Sequence, residues 1–308
     1  MSVATDVQLS EFAEWVGDTD AVAIKGAGTR WEVGRELISD ARVVRAPVGI
    51  LDYQPEEMIV RAMAGTSVEE LHLELATRGQ RTGLARRGGT VGGALAVGED
   101  DACVLGRGRV RDCVLQMRYV SAEGRVITCG GATVKNVSGF DVPRLMVGAL
   151  GTLGFIGEVV LRTNPIPALS SWISSSDADA FAVLDAVLKP SAILWDGERT
   201  WVELEGHHTD VRASGLALNA IGTWAPCDGP PTLPAHRWSL RPSELRLLDR
   251  GNIGPYVASV GVGTVFATVP QPPRFVEAPL TELCHRIKRE FDPTARLNPG
   301  RSAVGRHG

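Results

Sequence analysis

Short apolar runs closed by turn residues alternate with amphipathic stretches through the first half of the chain. AVAI (21–24) predicts a strand ending in the turn KGAGTR (25–30), and 58–62 predicts a second strand. Thr66 and Ser67 precede a helical pattern over 68–78. Glu69 and Glu70 fall in its first turn and Gly79 closes it, which predicts a capped helix. Runs 114–120 and 125–128 flank Ala122, Glu123 and Gly124 and predict a hairpin. Run 155–162 predicts a strand stopped by Asn164, Pro165 and Pro167. Beyond Pro167, residues 170–176 lead into a predicted helix over 179–188. A hairpin turning at Asp196 and Gly197 follows, then a helix over 209–219 and a loop over 226–234. YVASVGVGTVFATV (256–269) predicts fully buried strands, and 281–291 predicts a helix followed by DPTARLNPGR (292–301). The end, RSAVGRHG, reads as disordered. The pattern divides the chain at 1–166, 167–275 and 276–308, with a small α+β domain in the middle.

Composition narrows the function classes. The chain has 308 residues, 44% apolar and 22% charged, an ordinary globular balance. Its 32 basic and 36 acidic residues give a net charge of −4, which fits neither a nucleic-acid footprint nor a polybasic membrane anchor. The uncharged stretch 254–273 is interrupted by glycine and proline and falls short of the about 20 apolar residues that span a bilayer. MSVATDVQLSEFAEW lacks the pattern of a signal peptide. The five cysteines, Cys103, Cys113, Cys129, Cys227 and Cys284, are odd in number and show no CxxC spacing. No disulfide framework, metal or iron–sulfur site is expected, and the expected compartment is the cytoplasm.

Glycine is uneven: 16 of the 35 fall between Gly83 and Gly157, interleaved with Val, Leu and Ile. Such glycines in strand-like sequence mark either close approach of a flat cofactor held by backbone N–H groups or tight packing with many turns. GAGTRWEVG (26–34) and GRGRVR (106–111) place Trp31 and Arg111 where a dinucleotide fingerprint needs its third glycine. Walker A, HExxH and GxSxG patterns are absent from the sequence. His207 and His208 suit a polar strand-to-helix turn, and His72 faces either solvent or core.

Five segments in order carry a resemblance: AIKGAGTR (23–30), LARRGGTVGGALAVG (84–98), GRGRVRDCVLQMRYVSAEGRVITCGG (106–131), TVKNVSGFDVPRLMVGALGTLGFIGEVVLRTNP (133–165) and FDPTARLNPGR (291–301). Together they resemble the FAD-binding domain of the vanillyl-alcohol oxidase and p-cresol methylhydroxylase type. VKNVSGFDVPRL (134–145) and GALGTLG (148–154) are most similar to the smaller flavin subunits of bacterial glycolate oxidases. The larger subunits carry a Glu where Leu150 stands, and an HxGDGNxH-like cap segment where 256–269 has no histidine, acid or amide.

The resemblance implies an α+β fold: a two-subdomain FAD-binding domain over 1–166, a small α+β cap domain over 167–275, and a C-terminal helix and tail over 276–308 packing back on the flavin domain. It implies FAD contacts from Lys25, Gly26, Ala27, Gly28, Thr29 and Arg30, the two cations being either phosphate partners or solvated surface. It implies further contacts from Gly88, Gly89, Thr90, Val91, Gly92 and Gly93, and from Gly154 and Ile156. Lys135, Asn136, Ser138 and Asp141 resemble a loop beside the ring, or form a structural turn. Thr29 and Arg87–Gly88 occupy the positions where relatives attach flavin through His or Cys, so noncovalent FAD is expected. The implied activity is oxidation of a 2-hydroxy acid on CH–OH, with a larger flavin subunit and an iron–sulfur subunit as partners and at most peripheral membrane contact through them. Two alternatives stand beside it: a standalone flavin dehydrogenase of another alcohol or sugar, and a non-catalytic flavin-holding subunit. No residue is named as general base. Arg107, Arg109 and Arg111, at alternate positions of an expected strand, either steer a carboxylate or form a solvated face.

Overall fold

Seven of the eight residues in the strand Phe155–Arg162 are buried, as apolar side chains at both odd and even positions require. The strand is the centre of a five-stranded antiparallel sheet, in the order Ile50–Gln54, Ile59–Met63, Phe155–Arg162, Val114–Val120, Val126–Gly130. Its one buried acid, Glu158, is held between Arg61 and Arg118 of the flanking strands, and Arg118 also reaches Asp6 at 2.8 Å. A charge buried in a sheet is tolerable only when paired in this way. The computed structural model describes residues 3–38, 40–131, 141–272 and 277–302.

One compact unit draws on residues 1–100, 109–165 and 274–306, the other on 101–108 and 166–273. In the first, the helices Val68–Ala76 and Val91–Val97 bury Leu71, Leu75 and Leu95 in one core with Met117, Val159 and Leu161. A second core joins Phe12 and Val16 of the helix Val3–Val16 to Val22, Val120, Phe155 and Leu297. Val22–Ile24 pairs in parallel with Arg42–Val44, and Leu297 forms a further parallel bridge to Val22. The second unit is built on a seven-stranded antiparallel sheet, with Leu169–Ser175, Thr200–Gly206, Ala192–Trp195 and Tyr256–Ser259 side by side in its middle. Among the described residues, no helix is long and apolar enough to cross a membrane.

The α+β class is as the sequence predicts, and several local expectations are corrected. VGGALAVG, taken for strand-like glycine sequence, is the helix Val91–Val97; Thr90 Oγ1 accepts from Gly93 N–H and Gly98 closes it at φ 65°. The helix expected over 68–78 ends at Ala76. Ser67 makes no side-chain cap there, and Thr66 Oγ1 instead accepts from Gly49 N–H at 2.9 Å. Only Val183–Ala186 of the helix expected over 179–188 is helical, and Pro226 and Cys227, at the start of the loop expected over 226–234, belong to a strand Ala225–Cys227 that pairs with Leu169–Ser175. His207 stands in the strand-to-helix turn that the sequence suggests, accepting from Thr209 N–H, and two helices begin earlier than expected, at His208 in place of 209 and at Ala278 in place of 281. His72 is buried, its Nε2 2.9 Å from the Leu84 carbonyl. Of the end expected to be disordered, 301–308, Arg301 and Ser302 are instead fixed by hydrogen bonds to the carbonyls of Trp31, Val33 and Gly34, and 303–308 lie outside the described residues.

Arg107, Arg109 and Arg111 do not share a strand. Arg107 ends the helix Val104–Arg107 and Arg111 lies in the turn Val110–Asp112. Arg107 is spent inside the second unit, donating to Glu203 at 3.1 Å and Glu205 at 2.9 Å and lying 3.4 Å from Asp101. Three carboxylates thus surround one guanidinium. Burial pushes the Glu203 pKa above its ordinary 4.5, against the hydrogen bond from Cys103 and the charge of Arg107. A carboxyl with a raised folded pKa keeps its proton where the unfolded chain has released it. Its contribution is therefore present at low pH and lost as pH rises through the folded value. Glu203→Gln, which cannot titrate, is expected to gain stability relative to wild type as pH rises above 4.5. Thermal melts of both proteins across this range check it; a pH-independent difference refutes it.

Candidate functional site

Lys25 N–H makes the last bond of its strand, to the Val44 carbonyl at 3.0 Å. The next five residues leave the sheet, and Gly28 takes a φ of 80° that favours glycine. Among the described residues, the backbone N–H groups of 26–30 donate to no protein acceptor. Successive bare N–H groups around a left-handed residue form a nest for an anion. Gly26 has to be glycine because a Cβ there would lie 2.4 Å from Thr90 Oγ1.

These residues line one wall of a cavity of ≈ 330 Å³. Lys25, Arg30, Arg45 and Arg301 bring four cations to its lining, and among the described residues no carboxylate lines it. Arg30 is anchored by Glu99, which also takes Arg87 at 2.7 Å, and Arg30 Nη1 donates to Thr29 Oγ1 at 2.9 Å. Arg45 Nη1 donates to the Gly26 carbonyl at 2.9 Å, so that this cation also fixes the loop. The opposite chemistry fills the rest of the lining: Ala64, Gly92, Gly93, Ala96, Met146, Leu150, Gly154 and Ile156. Side chains are excluded at two of the glycines. A Cβ at Gly92 would lie 2.7 Å from Ala64 Cβ, and one at Gly154 2.5 Å from Tyr119 Cδ2.

Asn298 ties two walls of the cavity together. Its Oδ1 accepts from Ile24 N–H at 2.9 Å and its Nδ2 donates to the Leu150 carbonyl at 2.6 Å. The segment 148–150 is held in turn by the helix Val91–Val97, Gly148 N–H and Leu150 N–H donating to Leu95 and Ala96 at 2.8 Å each.

Eleven of the sixteen residues singled out in the sequence line this cavity: Lys25 through Arg30, Thr90, Gly92, Gly93, Gly154 and Ile156. Val91 is buried in the core beneath it. Gly88 and Gly89 stand behind the wall, a Cβ at Gly89 meeting Thr29 Oγ1 at 2.8 Å and Arg30 Nη1 at 3.0 Å. Asn136 and Ser138, with Lys135, lie outside the described residues. Asp141 caps the helix Val142–Met146 by accepting from Arg144 N–H. The sequence reading missed Trp31, Arg45, Asn298 and Arg301. The tail sequence LNPGR, a polar turn after an apolar residue, was the available signal for the last two; Arg45 had none.

The cavity fits FAD by its own chemistry: bare N–H groups and cations for a diphosphate, and an apolar floor with glycines for a flat ring system. Among the described residues, its lining contains no His, Asp, Glu, Tyr or Cys, and Lys25 is its one side chain that could take up a proton after losing its own. Elsewhere in this unit, burial pushes the thiols of Cys113 and Cys129 up to about 11, which keeps them protonated near neutral pH.

Residues 2–130 match the family described as FAD binding domain. The chain is 26% identical over 335 residues to glycolate oxidase subunit GlcE of Escherichia coli (strain K12), covering 95% of each protein. A 76-residue stretch, 25% of this chain, is 41% identical to D-lactate dehydrogenase of Archaeoglobus fulgidus, of which it covers 17%. Among solved structures, an alkyldihydroxyacetonephosphate synthase is similar at a TM-score of 0.65 and 15% identity, over 96% of this chain and 74% of that one. At that identity the likeness is one of fold.

Proposed function

We propose that this chain, which carries an FAD-binding domain, is the flavin-holding subunit of a glycolate-oxidase-like oxidoreductase acting on a 2-hydroxy acid. The reading is supported above all by the cavity, where bare N–H groups and the cations Lys25, Arg30 and Arg45 meet an apolar floor with no His, Asp, Glu, Tyr or Cys among the described residues. Similarity to glycolate oxidase subunit GlcE along 95% of both chains supports the assembly. Bound FAD supplies the two-electron oxidation of the carbon bearing the hydroxyl. The chain's own part is to present 26–30 to the phosphates, to keep charge away from the ring with Met146, Leu150 and Ile156, and to exclude water there. In this reading a larger flavin subunit supplies the base. Electrons leave through a separate iron–sulfur chain, because these five cysteines show no cluster-ligand spacing. The same reading places the chain in the cytoplasm, with any membrane contact made through its partners.

The flavin is held noncovalently in this reading, since Thr29 and Arg87 offer no attachment chemistry. The test is an absorption spectrum of the purified chain, then anaerobic addition of glycolate and of D- and L-lactate, then acid precipitation. Two flavin bands, no bleaching by the substrates and yellow colour in the acid supernatant are expected. Bleaching by one substrate would make the chain an enzyme in its own right. A colourless protein that takes up no added FAD would remove the reading altogether.

A further inference from the structure

The loop that carries the bare N–H groups continues through residues 31–38 before the chain re-enters the sheet. Among the described residues, every long-range hydrogen bond of 31–38 goes to the tail: Ile38 N–H to the Pro299 carbonyl at 3.0 Å, Ser302 N–H to Gly34 at 2.9 Å, and both Arg301 Nη groups to the carbonyls of Trp31 and Val33. The Arg301 guanidinium also lies 4.6 Å from the centroid of the Trp31 ring, and Lys25 Nζ lies 4.8 Å from the same ring. Gly300 turns the tail into place at φ 91°, where a Cβ would come within 2.5 Å of the Glu36 carbonyl. Asn298, three residues before Arg301, joins Ile24 to Leu150 across the cavity.

We propose that Arg301 is a positioning residue for the flavin, acting through the loop 26–34 and not by its own charge, and that docking of 298–302 is thermodynamically linked to FAD binding. The inference rests on the FAD reading of the cavity. Its ground is that both Nη groups of Arg301 are committed to main-chain carbonyls, so the planar fork sets geometry. A lysine would keep the charge and lose the fork. Linkage is reciprocal: whatever the tail adds to FAD affinity, FAD returns as protection of the tail.

The test is titration of the full-length apoprotein with FAD, followed by fluorescence at low and moderate salt, for wild type, Arg301→Lys, Arg301→Ala and Gly300→Ala. Both Arg301 variants are expected to lose about tenfold or more in affinity, with the salt dependence of Arg301→Lys unchanged from wild type. Gly300→Ala, which alters no charge, is expected to weaken FAD as well. In the wild-type protein, saturating FAD is expected to slow hydrogen exchange at the amides of Asn298, Arg301 and Ser302. Full rescue by lysine would overturn the positioning role in favour of a direct phosphate contact. Exchange that ignores FAD would overturn the linkage. Wild-type protein that fails to bind FAD would overturn the flavin reading itself, and this inference with it; wild-type binding with unaffected variants would overturn this inference alone.

Discussion

Gly26→Val is expected to yield a folded protein that purifies without flavin. The added Cβ would stand 2.4 Å from Thr90 Oγ1 and 3.3 Å from its Cγ2, so the collision is with the whole threonine side chain. Two relaxations are open. Thr90 can rotate, which surrenders its bond to Gly93 N–H and the cap of the helix Val91–Val97, at a cost of about 1 kcal/mol. Alternatively the loop retreats and takes the N–H groups of 26–30 with it. In either case methyl groups enter the space meant for phosphate. Hydrogen bonds to a charged acceptor contribute about 1.5–3 kcal/mol each, so losing two lowers FAD affinity by about a hundredfold or more. The ratio of visible to ultraviolet absorbance in the purified variant, followed by FAD titration, measures this. Wild-type loading would show that the phosphates do not sit on this loop.

Arg296→Met is expected to cost about 3–5 kcal/mol of stability. Arg296 is 3% exposed. Its guanidinium donates only to main-chain oxygens: to Val16 at 2.6 Å, Asp20 at 2.8 Å, Ala122 at 3.0 Å and Gly17 at 3.1 Å. Two of these carbonyls, Val16 and Gly17, end the helix Val3–Val16, where carbonyls lack intrahelical partners and the macrodipole is negative. A methionine fills the volume and leaves the Gly17, Asp20 and Ala122 carbonyls without this donor, while Val16 keeps only the 3.3 Å bond from Arg42. Arg296→Lys, one point donor in place of a fork, is expected to recover only part of the loss. Urea unfolding of the three proteins decides it; a loss below about 1 kcal/mol for the methionine variant would mean that water replaces the guanidinium.

The sequence made the first strand, the loop after it, the hairpin 114–130 and the central strand 155–162 legible because each is a local pattern with its own stop signal. It misled at VGGALAVG, where glycine content argued against helix while Thr90 and Gly98 supplied caps that only the folded geometry brings into use. The arginines at 107, 109 and 111 looked periodic, yet Gly108 at φ 80° breaks the run, so that no two of them share a strand face. At the site, residues 25–30 were readable because glycines and a threonine between two cations are a compact signal. Asn298 and Arg301 act some 270 residues away from their partners. No local rule assigns a partner at that separation; only the resemblance of the tail hinted that it returned.

That separation has a consequence for how the protein is made. The ribosome releases the strand Val22–Ile24 with Arg42–Val44 beside it, and the other edge of Val22 waits for residues 296–298. At about 5–20 residues per second the wait is roughly 15–50 seconds, during which that edge is an open template for strand pairing. Every residue of the second unit between 101 and 273 is synthesised within the interval. The cavity lacks Asn298 and Arg301 until then, so the wall they supply is the last part of its lining to be synthesised, after every other lining residue has left the ribosome.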